Sequence, residues 1–162
     1  MSMNAGTEDI IKSIEGLSQL DDTGIAAIAS ISSLSSVPEG TVFFQADDTS
    51  WDVYFVISGI VGISMSGPGS QNPLMKDDME LLILRSGAFF GELSFLDGAR
   101  RHLTVTARER TLVLRINGPL LKAVCEADAL VGRAVNSLLG KSAARAARDI
   151  SMELRNIMAA RS

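Results

Sequence analysis

Six short runs of β-branched and aromatic residues in the middle of the chain constrain its fold more than any other feature. They occupy residues 41–45, 53–58, 60–66, 80–86, 103–108 and 111–116. Residues that favour turns separate them, including Pro38, Gly40, Gly59 and Gly87. Many short strands at regular intervals are typical of a β-sandwich, a jelly roll or a barrel.

The segments on either side of these runs have helical periodicity. Before them, Ile10, Ile14 and Leu17 share one helical face, and Asp21 or Asp22 is a suitable N-cap for a second helix. After them, an apolar stripe extends from residue 131 to residue 158 in steps of three and four.

The sequence therefore predicts an α+β chain in three parts. These are an N-terminal helical segment over residues 1–34, a β-barrel over 35–117 and C-terminal helices over 118–162. Residues 67–78 hold two prolines and two glycines, which predicts a surface loop between two strands.

Composition and charge exclude several classes of protein. The only cysteine, Cys125, cannot form an internal disulfide, and the only histidine, His102, cannot build a multi-histidine metal centre. The net charge of −4 argues against direct binding to nucleic acid or to an anionic membrane. No apolar run approaches the roughly 20 residues that span a bilayer. We expect a cytoplasmic protein. The sequence contains no recognisable set of catalytic residues, so we do not expect an enzyme.

The stretch "GAFFGELSFLDGARRHLTVTA", residues 87–107, carries the most chemistry. Gly91 lets the backbone approach a ligand, and unpaired N–H groups at the start of the following turn can bind an anion. The planar guanidinium of Arg101 matches two phosphate oxygens, and Glu92 can accept hydrogen bonds from a neighbouring sugar hydroxyl. A Glu92–Arg101 ion pair that closes a surface loop is the alternative. The spacing alone does not decide between them.

The same stretch resembles the phosphate-binding cassette of the cyclic nucleotide-binding domain family, to which the catabolite activator and the regulatory subunit of protein kinase A belong. The residues that match the family pattern are Phe90, Gly91, Glu92, Leu93, Arg101, Thr104 and Val105. The upstream stretch "VPEGTVFFQADDTSWDVYFVISGIVGI" is similar to the strand–acidic turn–strand segment of that family. The resemblance implies an antiparallel jelly-roll barrel, or double-stranded β-helix, whose C-terminal helices serve as a lid or a dimer contact.

The resemblance also implies a role for each residue of the cassette. Glu92 would bind the ribose 2′-hydroxyl, and Arg101 would bind the exocyclic oxygens of the cyclic phosphate. Backbone N–H groups around Leu93, Ser94 and His102 would complete the cradle beside Gly91. The ligand would be a cyclic nucleotide, with no further cofactor.

Three positions depart from the family pattern. Arg100 replaces the usual proline, His102 the usual small residue and Leu103 the usual alanine. A threonine or serine at position 102 goes with cGMP in this family, so its absence favours cAMP over cGMP. His102 either donates to the phosphate or is a rim residue with only its backbone involved. The bulk at His102 and Leu103 keeps an alternative open, a domain that has lost nucleotide binding and acts as a protein-interaction module.

The C-terminal helices leave two questions open. Arg145 or Arg148 either stacks on the base as part of a lid or only solvates the outer helix face. The apolar stripe either packs on its own barrel or pairs with a second copy in a homodimer. The sequence ends at Ser162 after this stripe, so we expect no helix-turn-helix of the transcription-regulator type.

Overall fold

The computed structural model describes residues 3–65 and 79–162. The loop predicted at 67–78 lies outside them. Within the described residues, helices and strands follow in the order helices, strands, helices, with one short helix among the strands. The helices are α1 (Met3–Ser13), α2 (Asp22–Ser30), α3 (Glu92–Asp97), α4 (Gly118–Ala127) and α5 (Ala129–Ala160). The strands are β1 (Ser32–Val37), β2 (Val42–Phe44), β3 (Val53–Ser58), β4 (Val61–Met65), β5 (Met79–Leu84), β6 (Phe89–Phe90), β7 (Thr104–Ala107) and β8 (Thr111–Ile116).

The strands of the described residues form two four-stranded antiparallel sheets. One has the order β1-β8-β3-β6 and the other the order β2-β7-β4-β5. Except for β4 and β5, neighbours in each sheet are not consecutive in the sequence, which is typical of a jelly roll. The α+β jelly roll with flanking helices is therefore confirmed.

The predicted N-terminal helical segment, 1–34, is wrong at its C-terminal end. Helix α2 begins after the N-cap Asp21, as predicted, but ends at Ser30. Strand β1 then pairs with β8 over six residues, from Ser32 with Ile116 to Val37 with Thr111. Four of the six residues of β1 are serines, so the strand has little intrinsic propensity, and its pairing with β8 determines its conformation.

Two hydrophobic clusters meet across the first sheet. One fills the space between the two sheets, and the other lies between the first sheet and the helices. Successive residues of a strand point to opposite faces, so Phe90 belongs to the barrel cluster while Phe89 belongs to the helix cluster. Val113 and Leu114 divide in the same way. The cassette that follows Phe90 therefore starts at the boundary between the two clusters.

Helix α5 contacts both clusters with different parts of its length. Its N-cap, Asp128, accepts hydrogen bonds from the N–H groups of residues 130 and 131. Val131, Val135 and Leu139 are then buried in the helix cluster. After Gly140 the helix covers the barrel with half-buried residues, and its last turns are exposed. A Cβ added at Gly140 would meet nothing within 4 Å, so packing does not require glycine there.

The apolar stripe thus packs on its own domain only in its first part. Met152, Leu154 and Met158 are exposed in the final turns of α5. Pairing of these turns with a second copy stays a prediction. Among the described residues, no helix combines the length and apolar character that a membrane span requires.

Candidate functional site

The loop between β2 and β3 positions the backbone of Arg101. The Asp47 N–H donates to the Arg101 carbonyl at 2.7 Å, and the Arg101 N–H donates to the Asp48 carbonyl at 2.9 Å. Asp47 adopts a φ of +73°, a left-handed conformation that aspartate tolerates better than most residues. This reciprocal pairing fixes the point at which the Arg101 side chain enters the interior.

The Arg101 side chain is 3% exposed and surrounded by backbone carbonyls. Its Nη1 donates to the Gly91 carbonyl at 2.6 Å and its Nη2 to the Asp52 carbonyl at 2.7 Å. Its Nε lies 3.3 Å from the Ser50 hydroxyl, and its guanidinium carbon lies 3.9 Å from the centroid of the Phe44 ring. The four partners hold the guanidinium in one plane beneath the cassette.

No carboxylate in the described part of the chain forms a salt bridge with Arg101. Burial lowers the pKa of Arg101, while Tyr54 and Asp52 act in the opposite direction. A guanidinium stays charged in proteins, so the positive charge is buried without a neutralising ion pair. The alternative of a Glu92–Arg101 ion pair on a surface loop is therefore wrong, because the two groups form no pair and both are buried.

Gly91 is required by both its conformation and its surroundings. Its φ is +84°, in the left-handed region that L-residues rarely adopt. A Cβ at this position would lie 2.7 Å from the Asp52 carbonyl oxygen and 3.1 Å from Arg101 Nη1. Glycine therefore lets the cassette approach the loop that carries Asp52 closely enough for Arg101 to bind both carbonyls.

Glu92 is the first residue of α3 and is 4% exposed. Its Oε1 accepts a hydrogen bond from the Ser142 hydroxyl of α5 at 2.8 Å. Burial raises the pKa of the Glu92 carboxyl, and this effect exceeds the opposing hydrogen bonds from its own backbone N–H and from Ser142. The carboxyl thus lies in a poorly solvated position where a hydroxyl donor already binds it.

Arg101 and Glu92 line the same cavity, which has a volume of about 70 Å³. Apolar side chains from both sheets form most of its wall, and Ala146 and Ile150 of α5 close one side. Ser94 also lines it, is 3% exposed, and has a hydroxyl without a hydrogen-bond partner among residues 3–65 and 79–162. The cavity therefore combines a buried cation, a buried carboxyl and a free hydroxyl within an apolar enclosure.

The other predicted site residues divide into two groups. Gly91, Leu93 and His102 line the cavity, with His102 exposed at its edge and Leu103 buried in its wall. Arg145 and Arg148 are exposed and do not line it. The structure therefore does not bring the two arginines to the cavity.

Two residues at this site were not found from the sequence. Asp52 is buried, its carbonyl accepts from Arg101, and its carboxylate accepts from the Gly118 N–H at 2.9 Å and from Arg115 Nε at 2.7 Å. Ser142 lies 50 positions from its partner Glu92. No local motif marks either residue, because their roles depend on tertiary contacts.

Comparisons with known proteins support the fold and identify the family. A family model described as a cyclic nucleotide-binding domain matches residues 34–128. The chain is 27% identical over 140 residues to a protein of Rhodopseudomonas palustris that is provisionally named a potassium channel protein. That similarity covers 86% of this chain and 31% of the relative, so the chain spans about a third of the relative's length.

Two solved structures share the architecture. The catabolite activator protein of Thermus thermophilus is 26% identical, with a TM-score of 0.62 over 86% of this chain and 61% of that chain. The regulatory domain of Toxoplasma gondii PKA, crystallised with cAMP, has a TM-score of 0.69 at 19% identity over 88% of this chain and 50% of that chain. The second similarity is informative for the fold alone.

Proposed function

This chain belongs to the cyclic nucleotide-binding domain family, and we propose that it is a sensor that binds cAMP in preference to cGMP. Arg101 binds the cyclic phosphate and Glu92 binds the ribose 2′-hydroxyl. Binding displaces the part of α5 that covers the cavity. The family membership supports cyclic nucleotide binding. The roles of the individual residues are those that the resemblance of the cassette implies, and the geometry described above supports them.

The buried charge of Arg101 is the observation that carries the proposal. A cation that is removed from water and held without a carboxylate is costly, and an anionic ligand compensates that cost. Carbonyl dipoles of Gly91 and Asp52 orient the guanidinium but do not neutralise it. A cyclic phosphate carries one negative charge and two exocyclic oxygens, which suits a planar fork of donors.

Glu92 and Ser94 complete the recognition. An ionised carboxyl beside the phosphate site repels a second anion but accepts a hydrogen bond from a sugar hydroxyl. The buried Ser94 hydroxyl and the N–H groups of the first turn of α3 are donors on the same side of the cavity. Together with Arg101 they suit a ligand with an anion next to a hydroxylated ring.

The choice of cAMP rests on position 102. The residue there is His102, exposed at the edge of the cavity, rather than a residue with a short hydroxyl side chain. Apolar residues line most of the cavity, which offers the base stacking and van der Waals contacts more than hydrogen bonds.

Isothermal titration with cAMP and with cGMP tests the proposal on three proteins: the wild type, Arg101→Ala and Arg100→Ala. Arg100 is exposed, so its variant is a matched control for loss of one positive charge. We expect the wild type and Arg100→Ala to bind cAMP more tightly than cGMP. Arg101→Ala should bind at least about 30-fold more weakly, because it loses a charge-assisted bidentate contact. Circular dichroism confirms that each variant is folded.

Equal binding by the wild type and Arg101→Ala would refute the role of Arg101. Absence of binding of either nucleotide to the wild type would refute the proposal as a whole. The alternative of a domain that has lost nucleotide binding and acts as a protein-interaction module would then remain.

A further inference from the structure

Ser142 forms an unusual hydrogen bond for a serine inside a helix. Such a serine commonly donates to a carbonyl of the preceding turn, as Ser151 does to the Ala147 carbonyl at 2.7 Å. Ser142 instead donates to Glu92 Oε1 of the cassette at 2.8 Å. The Ser142 hydroxyl therefore links α5 to the cassette instead of bonding to a carbonyl of its own helix.

The group that Ser142 supplies is chemically equivalent to the group that the ligand brings. A ribose 2′-hydroxyl and a serine hydroxyl are both neutral alcohol donors of one hydrogen bond to a carboxylate. Glu92 is 4% exposed, and Ser142 already donates to its Oε1. A sugar hydroxyl that binds Oε1 would take the place of Ser142.

The same face of α5 also limits the space for a ligand. Ala146 and Ile150 follow Ser142 at helical spacing and line the cavity. The cavity has about 70 Å³, whereas pockets for small-molecule ligands have roughly 300–1,000 Å³. A nucleotide therefore enters only when this face moves away, and that movement breaks the Ser142–Glu92 hydrogen bond.

We propose that Ser142 is an internal competitor for the Glu92 carboxylate, which holds α5 over the cavity and lowers the affinity of the site for its ligand. The inference rests on the proposed function, in which Glu92 receives the sugar hydroxyl. Ser142 acts on the ligand through Glu92 and α5 and is not itself a ligand contact.

The test is titration of cAMP into the wild type, Ser142→Ala and Ser151→Ala. Ser151→Ala is the matched control, because it removes the same group from the same helix without a link to Glu92. We expect Ser142→Ala to bind cAMP about three- to tenfold more tightly than the wild type, since ligand entry no longer breaks one net hydrogen bond. Ser151→Ala should match the wild type.

A second measurement needs no ligand. Hydrogen exchange of the α5 amides beyond Gly140 should be faster in Ser142→Ala than in the wild type and in Ser151→Ala. Unchanged exchange would overturn the closing role of Ser142. A cAMP affinity that is unchanged or weaker in Ser142→Ala would overturn the competition.

A third ligand separates the two proposals. 2′-Deoxy-cAMP lacks the hydroxyl assigned to Glu92, so weaker binding of it than of cAMP by the wild type supports the proposed function. Equal binding of the two nucleotides overturns the role of Glu92, and with it the competition. When cAMP binds more tightly than its deoxy analogue but Ser142→Ala gives no gain, only the inference about Ser142 fails.

Discussion

The guanidinium carbon of Arg101 lies 3.9 Å from the centre of the Phe44 ring, and Phe44 is itself buried in the barrel. A cation above an aromatic face is attracted by the ring, by about 0.5–2 kcal/mol depending on how well the pair is shielded from water. The ring also supports the plane of the fork from one side, while the carbonyls of Gly91 and Asp52 hold its edge. The position of the cation thus depends on the barrel core as well as on the cassette.

Replacing Phe44 with leucine should weaken cAMP binding by about fivefold, because the leucine side chain keeps the site apolar but loses the cation–π contact. Isothermal titration measures the effect. The control is Phe43→Leu on the same strand, since the Phe43 ring contacts Tyr54 and Phe90 instead of Arg101. A loss of affinity of the same size in both variants would show that core packing, and not support of Arg101, is responsible.

Replacing Gly91 with alanine should destabilise the fold by about 2–4 kcal/mol, measured by urea unfolding. The left-handed conformation costs an L-residue about 1–2 kcal/mol, and the close approach of a Cβ to the Asp52 carbonyl adds to it. Gly87→Ala separates these two costs, because Gly87 also has a positive φ but a Cβ there would meet nothing within 4 Å. Equal losses in the two variants would mean that the contact with Asp52 is unimportant.

Replacing Glu92 with glutamine should reduce the preference for cAMP over 2′-deoxy-cAMP, because an amide oxygen is a weaker acceptor than a carboxylate, and it should raise stability at neutral pH. Burial raises the pKa of the Glu92 carboxyl in the folded protein above its ordinary value of 4.5. The unfolded chain therefore ionises first, and the wild type loses stability as the pH rises through 4.5 towards the folded-state pKa. Glutamine does not ionise and keeps an acceptor for the Ser142 hydroxyl.

The stability advantage of Glu92→Gln should accordingly be small at pH 4 and grow towards pH 7. Chemical unfolding at a series of pH values measures it. An advantage that shrinks as the pH rises would contradict the raised pKa of Glu92.

Replacing Asp52 with alanine should cost more stability than replacing Arg115 with alanine, although the two residues form one ion pair. The Asp52 side chain is 10% exposed and also accepts from the Gly118 N–H at the start of α4. Removal of the Asp52 carboxylate leaves the buried Gly118 N–H without an acceptor, which costs about 1–3 kcal/mol of stability. The Arg115 side chain is 55% exposed, so loss of its charge should cost about 1 kcal/mol. Thermal unfolding of the two single variants and of the double variant measures these costs. A larger loss of stability in Arg115→Ala than in Asp52→Ala would contradict the prediction.

The cassette could be predicted from the sequence because its features are local. Gly91, Glu92 and Arg101 lie within eleven positions, and each has a side chain or a conformation that few other residues can supply. Most strands were also predictable, since their β-branched runs are bounded by turn residues. The helix caps at Asp21 and Asn117 follow the same local logic, but only the first was predicted.

Most of the other missed features depend on distant parts of the chain. The serine-rich strand β1 has its conformation only because β8 pairs with it, and β6 is two residues long. Ser142 resembled an ordinary helical serine until its partner was known. The sequence offered Arg145 or Arg148 as a lid and left open that they only solvate the outer face of the helix. Which face of α5 covers the cavity depends on how the first part of the helix is anchored, and a periodic stripe does not contain that information.

Gly140 separates the buried first part of α5 from the part that covers the cavity, and this position has a mechanical consequence. Extracting Val131, Val135 and Leu139 from their cluster would cost about 1.5–3 kcal/mol for each, far more than the single hydrogen bond of Ser142. We therefore expect a force that lifts Ser142 to bend the helix near Gly140 instead of pulling the whole helix out of its cluster. At about 1.5 Å per residue the far end lies about 30 Å from that pivot. A tilt of about 10° there moves the C-terminal end of α5 by about 5 Å. Loss of the hydrogen bond to Glu92 is thus amplified into a larger displacement at the end of the helix.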